Sequence, residues 1–289
     1  MKNIIVSILI LASISSCNQY KKAFSTKSYL DIKLDKNGHL PSNPYILHFK
    51  NKEKEIVFCG VEHITDNENI EDKMYTIIEK NFHDFKPNIS VNEGGDITNK
   101  KYNSKKEALL KDGEIGLSKF LSDNSNITTV NGDPTVEFEF NELLKNYSKG
   151  QFLAYIATER FMWGIVDAKI INESEIEKKY NLFIENYIIK KGKIHLTEAE
   201  KKLSFYKFNY KKLVGREFSL STLKPTNPFD SKGKFQKIGR KSKNIRDQYL
   251  LKTIDNLLNT NDKVFIVFGG WHLLTCEPGL KEIINKKRN

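Results

Sequence analysis

Two stretches far apart in the chain carry the same pattern, an apolar run followed by Gly-x-x-His. The first reads Ile56-Val57-Phe58-Cys59-Gly60-Val61-Glu62-His63, the second Val264-Phe265-Ile266-Val267-Phe268-Gly269-Gly270-Trp271-His272. Two carboxylates follow short strand-like segments in the same way, Glu93 after Ile89-Ser90-Val91-Asn92 and Asp133 after Ile127-Thr128-Thr129-Val130. Two imidazoles plus a carboxylate form a common ligand set for a divalent ion such as Mn, Co or Zn, with room left for a water. A metal so held lowers the pKa of its water and polarises a carbonyl. Without metal, the same groups supply a general base and a general acid.

For these residues to meet, the elements carrying them must run parallel. A buried strand that breaks at Gly and presents a His just past its carboxyl end places the imidazole where open α/β sheets build their sites. Tyr45 to Phe49 and Glu55 to Phe58 predict a hairpin across the charged turn Lys50 to Lys54. Ile70, Met74, Ile77, Ile78, Phe82 and Phe85 recur at helical spacing up to Pro87, and the strand ending at Glu93 follows. A helix over 105–121 and the strand 127–130 continue the alternation, which is the mark of a parallel sheet. From about 137 to 218 the pattern is helical with little strand signal, and reads as an insertion or cap. Ser219 to Gly239 reads as a loop-rich stretch, Asn244 to Leu258 as a helix, Val264 to Phe268 as the last strand and Leu280 to Lys286 as a short closing helix. The expected fold is α/β: a mostly parallel central sheet with two similar strand–Gly-x-x-His–helix halves and a helical insertion. It occupies residues 44–289 as a single domain.

The paired motifs resemble those of the TIKI/TraB group, which is related to the erythromycin-esterase and ChaN-like (haem-uptake) proteins. The resemblance rests on Gly60-Val61-Glu62-His63 and Gly269-Gly270-Trp271-His272, on Val91-Asn92-Glu93 ending the second strand, and on Ile245-Arg246-Asp247-Gln248 ahead of the last one. It covers about 44–134 and 240–289. Departures are Asp133-Pro134, where a Glu-Pro-like turn is common, and Glu62 directly before His63. The resemblance implies metal-dependent proteases, His/Glu-dependent esterases or haem-binding lipoproteins, and so specifies a fold better than a reaction.

The first sixteen residues read as an export signal. Lys2 supplies the positive end, Ile4 to Ala12 the short apolar region, and Ile14-Ser15-Ser16-Cys17 fits a bacterial lipobox. Acylated Cys17, carrying for example a palmitate, would anchor a soluble domain through the tether 17–43, and more than one chain would make that anchor stable. Asn18 rather than Asp after Cys17 suits sorting to the outer membrane, periplasmic side. Without Lys2 the mature chain keeps 46 basic residues against 36 acidic ones. These charges are dispersed rather than gathered with interleaved aromatics, which argues against a nucleic-acid partner. Attraction to anionic lipid or an acidic envelope polymer is compatible with them. Cys59 and Cys276 each lie four positions from a motif histidine, and either pair across the site or are a buried strand residue and a loop residue.

Each candidate has a plainer reading. Arg246 binds an anionic group of substrate, clamps Glu93, or sits in a helix turn. Asp133 is a site residue or a turn-former in Asn131-Gly132-Asp133-Pro134. Trp271 walls the pocket or stacks on a ligand. His39, His48, His83 and His195 lack a strand-end setting. No Gly-x-Ser-x-Gly elbow, phosphate-binding Gly-rich loop, His-Glu-x-x-His or Cys-x-x-Cys occurs, so serine-hydrolase and nucleotide chemistry are not expected. The leading expectation is an envelope-anchored lipoprotein hydrolase cleaving a peptide amide or an ester, with His63, Glu93 and His272 and also Asp133 as the expected metal ligands, and Arg246 stabilising negative charge. The alternative is a lipoprotein that binds haem or another ligand through the same histidines without catalysis.

Overall fold

A computed structural model describes residues 23–36, 38–63, 69–224 and 226–288. The signal segment 1–16 and Cys17 lie outside the described residues.

Strands β1 (Tyr45–Lys50), β2 (Glu55–Val61), β3 (Ile89–Asn92), β4 (Thr128–Asn131) and β5 (Lys263–Gly269) form one sheet in the order β1-β2-β5-β3-β4. Only β1–β2 is antiparallel, joined by the expected charged hairpin turn; the other pairs are parallel. The fold is thus α/β with a mostly parallel sheet, as the alternation of strand and helix patterns predicts.

Both faces of the sheet are covered, so the central strands are apolar on both sides. Ile56, Phe58, Val264, Ile266 and Phe268 pack on one face with α8 (Lys234–Leu257) and α9 (Gly270–Asn285). Val57, Cys59, Phe265 and Val267 pack on the other with α1 (Lys73–Phe85) and α2 (Lys105–Asn124). A third core belongs to the helical segment: α3 (Val136–Leu144), α4 (Lys149–Ala157) continuing through a π-helical turn into α5 (Trp163–Asp167), α6 (Glu173–Phe183) with its own π-helical extension, and α7 (Leu203–Val214). Among the described residues this segment adds no strand to the sheet.

Three boundaries differ from expectation, each for a physical reason. α8 begins at Lys234, ten residues before the predicted start, because Phe235, Ile238 and Ser242 in its lysine-rich first half are buried against the cap. The loop therefore spans only 219–233. α9 begins at Gly270 rather than near Leu280 and runs straight through Pro278, although an interior proline costs a helix about 3 kcal/mol. Its buried face, Leu273, Cys276, Leu280, Ile283 and Ile284, supplies the compensating contacts. The expected tether also needs correction. Phe24 exchanges backbone hydrogen bonds with the Gln248 side chain, Lys27 N–H donates to Thr275 O at 2.9 Å, and Tyr29 and Leu40 are buried, so the chain from residue 24 onward is part of the body.

Candidate functional site

The register of the sheet brings the four predicted strand ends to one edge. Val61 pairs with Gly269, Asn92 with Val267, and Asn92 with Asn131. His63, His272, Glu93 and Asp133 each follow within three residues. The two motifs also touch through their glycines, since a Cβ on Gly60 would lie 2.8 Å from the Cα of Gly270. Only glycine permits that approach of backbones.

Glu93 is the centre of the arrangement. Its Oε2 accepts the Gly269 N–H at 2.6 Å and faces His63 Nε2 at 3.4 Å. Its Oε1 is ion-paired with Arg246, whose Nε and NH2 groups also grip Asp133 at 2.8 Å each. Burial alone would raise the Glu93 pKa; the Arg246 charge and the His63 hydrogen bond outweigh it and hold the carboxyl well below the usual range. A methyl group on Gly269 would sit 2.9 Å from Glu93 Oε2 and 3.5 Å from both His63 Nε2 and His272 Cδ2. The three predicted residues therefore surround one point.

Each histidine is oriented by its own carboxylate. His63 Nδ1 donates to Glu114 Oε1 at 2.6 Å, and His272 Nδ1 donates to Asp247 Oδ1 at 2.5 Å. Asp247 in turn accepts from Tyr29 Oη at 3.2 Å. His272 is buried, with 5% of its side chain exposed, whereas His63 keeps 49%. The hydrogen bonds to Glu114 and then Glu93 raise the His63 pKa to about 10 against the opposing effect of burial, so at neutral pH it is an imidazolium. His272 Nε2 takes no hydrogen bond among the described residues.

These groups line a cavity of about 430 Å³, walled also by Tyr29, Lys243 and Trp271. Trp271 meets Phe229 of the 219–233 loop edge-on at 4.4 Å, and Phe229 meets Tyr29 at 5.5 Å, which makes one aromatic wall. A larger groove of about 560 Å³ along α8, lined by Asn244, Gln248, Tyr249 and Lys252, has no imidazole.

The structure thus gathers His63, Glu93, His272 and Trp271 at one cavity. Arg246 lies behind Glu93 with its guanidinium committed to two carboxylates. Asp133 lies on the far side of Arg246 and lines a neighbouring cavity. It also shapes its turn, with its own N–H donating to Asn131 Oδ1 at 3.0 Å. Cys59 and Cys276 are both free and buried, and burial pushes both thiols up. Cys276 lies in α9, not in a loop.

Sequence reasoning missed Glu114, Asp247 as the partner of His272, and Tyr29. Glu114 had a signal: it stands between Gly113 and Gly116, and the helix kinks there, with Gly113 at φ 56°. A carboxylate flanked by glycines inside a helix pattern marks a break that re-aims a side chain.

For a divalent ion, the free Nε2 of His272 and, once it has lost its proton, Nε2 of His63 are suitable donors whose rings are held by carboxylates, as metal-bound histidines usually are. Glu93, as placed, has both oxygens engaged. Among the described residues no three His, Cys, Asp or Glu side chains are gathered as a metal-binding group. No helix among the described residues is long and apolar enough to cross a membrane. No protein-family model matches the chain, and the curated proteins give no match either.

Proposed function

We propose that this protein is an envelope-anchored lipoprotein that hydrolyses an amide or ester bond with His63, Glu93 and His272. The observation that carries the reading is the convergence of two carboxylate-oriented imidazoles on one partly buried glutamate beside a cavity large enough for part of a small substrate.

The two histidines divide the work by environment. His272, fixed through Nδ1 by Asp247, presents its free Nε2 as the base that takes a proton from water. His63, kept as an imidazolium, donates to the oxyanion that forms on the attacked carbonyl and then protonates the leaving group. Glu93 is too firmly ionised to be a useful base. It holds His63 and the Gly269 amide in place, and Arg246 keeps it charged. A divalent metal, if taken up, would use the two Nε2 atoms and supply an activated water and a polarised carbonyl.

The test is hydrolysis of a panel of p-nitrophenyl esters and aminoacyl-p-nitroanilides by the purified protein and by His272→Gln and His63→Gln, with metal content measured on each. Turnover that falls about 10²–10⁴-fold in either variant supports the reading. A bound metal lost in both variants would move it to the metal-dependent form implied by the resemblance to the TIKI/TraB group. No turnover, with a Soret band on adding haem, would replace hydrolysis by ligand binding.

A further inference from the structure

Lys243 stands where two cavities meet. It lines the one containing His63, Glu93 and His272, and also its neighbour of about 330 Å³, walled by Asp133, Glu159, Arg160 and Arg246. α8 presents it one turn before Arg246. The side chain is partly buried, yet among the described residues its ammonium has neither an ion pair nor a hydrogen bond.

Three of the four carboxylates around it are ion-paired with arginine, and the fourth, Glu159, is held by a hydroxyl. Glu93 is held by Arg246, His63 and the Gly269 amide, and Asp133 by Arg246. Glu139 takes Arg160 at 2.6 and 2.7 Å and Ser242 at 2.6 Å, and Glu159 accepts the Thr226 hydroxyl. Arg246 is ion-paired with Glu93 and Asp133, and Arg160 with Glu139, so Lys243 is the cation at this junction that makes no ion pair or hydrogen bond among the described residues. A cation removed from water with no counter-ion in contact is costly, and a site that keeps one has donors to offer an anion. Burial, and next the Arg246 charge, weaken the hold of Lys243 on its proton against the opposing charges of Glu159 and Glu93, a net penalty that an anion in contact would relieve.

We infer that Lys243 recognises an oxyanion on the substrate, carboxylate or phosphate in chemistry, and that the substrate lies with its reactive bond at His63 and His272 and its anionic group at the junction of the two cavities. Lys243 is then the residue that selects acidic substrates over neutral ones. The inference rests on the reading of this cavity as the reactive site, but it is tested by binding without turnover. An inactive protein that still takes up an anion through Lys243 would sink hydrolysis and leave Lys243 as the anion-recognising residue of a binding site.

The experiment titrates sodium acetate and, separately, inorganic phosphate at constant ionic strength into the protein, Lys243→Arg and Lys243→Met. Melting temperature and the histidine imidazole NMR signals are followed. A ligand that binds only the folded state raises the melting temperature saturably. The expected result is a saturable rise, with shifts of the His63 and His272 signals, in the protein and in Lys243→Arg. In Lys243→Met the response should be at least tenfold weaker, although its unliganded melting temperature is equal or higher because an unpaired charge has gone. The more effective anion identifies the ligand type. An undiminished response in Lys243→Met, or no saturable response of the unmodified protein to either anion, would overturn the inference.

Discussion

Glu93 illustrates how this site resolves the problem of a buried charge. A carboxylate taken out of water needs a counter-charge and filled lone pairs, and here Arg246, the Gly269 amide and His63 provide both. Arg246 in turn pairs with two carboxylates at once, so its loss is costly. Arg246→Met is expected to destabilise the protein by about 3–5 kcal/mol in urea unfolding, since it strands Glu93 and Asp133. Glu114→Gln is milder. It removes the strongest support for the charged form of His63, and turnover should fall most at high pH, with the alkaline limb of the rate profile moving to lower pH. The Gly-x-x-His patterns made His63 and His272 legible, and strand ends made Glu93 and Asp133 legible, because those positions follow from periodicity alone. Glu114, Asp247 and Tyr29 were hidden because their pairing depends on tertiary placement. Residue 114 meets residue 63 only because a helix kinks, and residue 29 meets 247 only because an N-terminal segment docks.

At the scale of elements, α8 connects the cap to the sheet. Its first half contributes Phe235 and Ile238 to the cap core, its second half Leu250, Leu251 and Ile254 to the sheet core. Lys243, Arg246 and Asp247 fall at the crossing point and reach the two cavities, Glu93 and His272. Fixing that helix therefore fixes the site. Leu250→Ala, at a fully buried position, should cost about 2–5 kcal/mol of stability by urea unfolding. Its effect on turnover below the transition should exceed that of Leu143→Ala, an equally buried change in the core of the cap. The sheet was readable because strand runs are short, apolar and bounded by turn residues. The length of α8 was not, because lysines at 234, 237, 241 and 243 mask a face that is apolar only where it meets the cap. The first part of α9 was not legible, because Pro278 and Gly279 disfavour helix locally and only packing against the sheet overrides that preference.

The whole molecule answers to pH through the same groups. The pKa of His63 is raised from 6.5 to about 10, so its contribution to stability is complete below pH 6.5 and is lost as pH rises through about 10. The Glu93 pKa is depressed below 4.5, so its contribution is present above that value and is lost as pH falls. The two groups together predict greatest stability between about pH 4.5 and 6.5. Because His63 is half-exposed, solvent screening keeps its share small. Melting temperatures across pH should show the alkaline decline flattened in His63→Gln and the acid decline flattened in Glu93→Gln. Anchoring is a separate prediction for the whole chain: full-length protein expressed in a bacterium should partition with membranes, and Cys17→Ala should release it to the soluble fraction.

The central claim is that the two halves of the chain build one electrostatic unit around Glu93. NMR titration of the His63 imidazole tests it most directly, in the protein and in Glu93→Gln. The account predicts a midpoint near pH 10 that moves down in the variant, because Glu93 stabilises the charged ring after Glu114 does. A midpoint near 6.5, unchanged by Glu93→Gln, would contradict it.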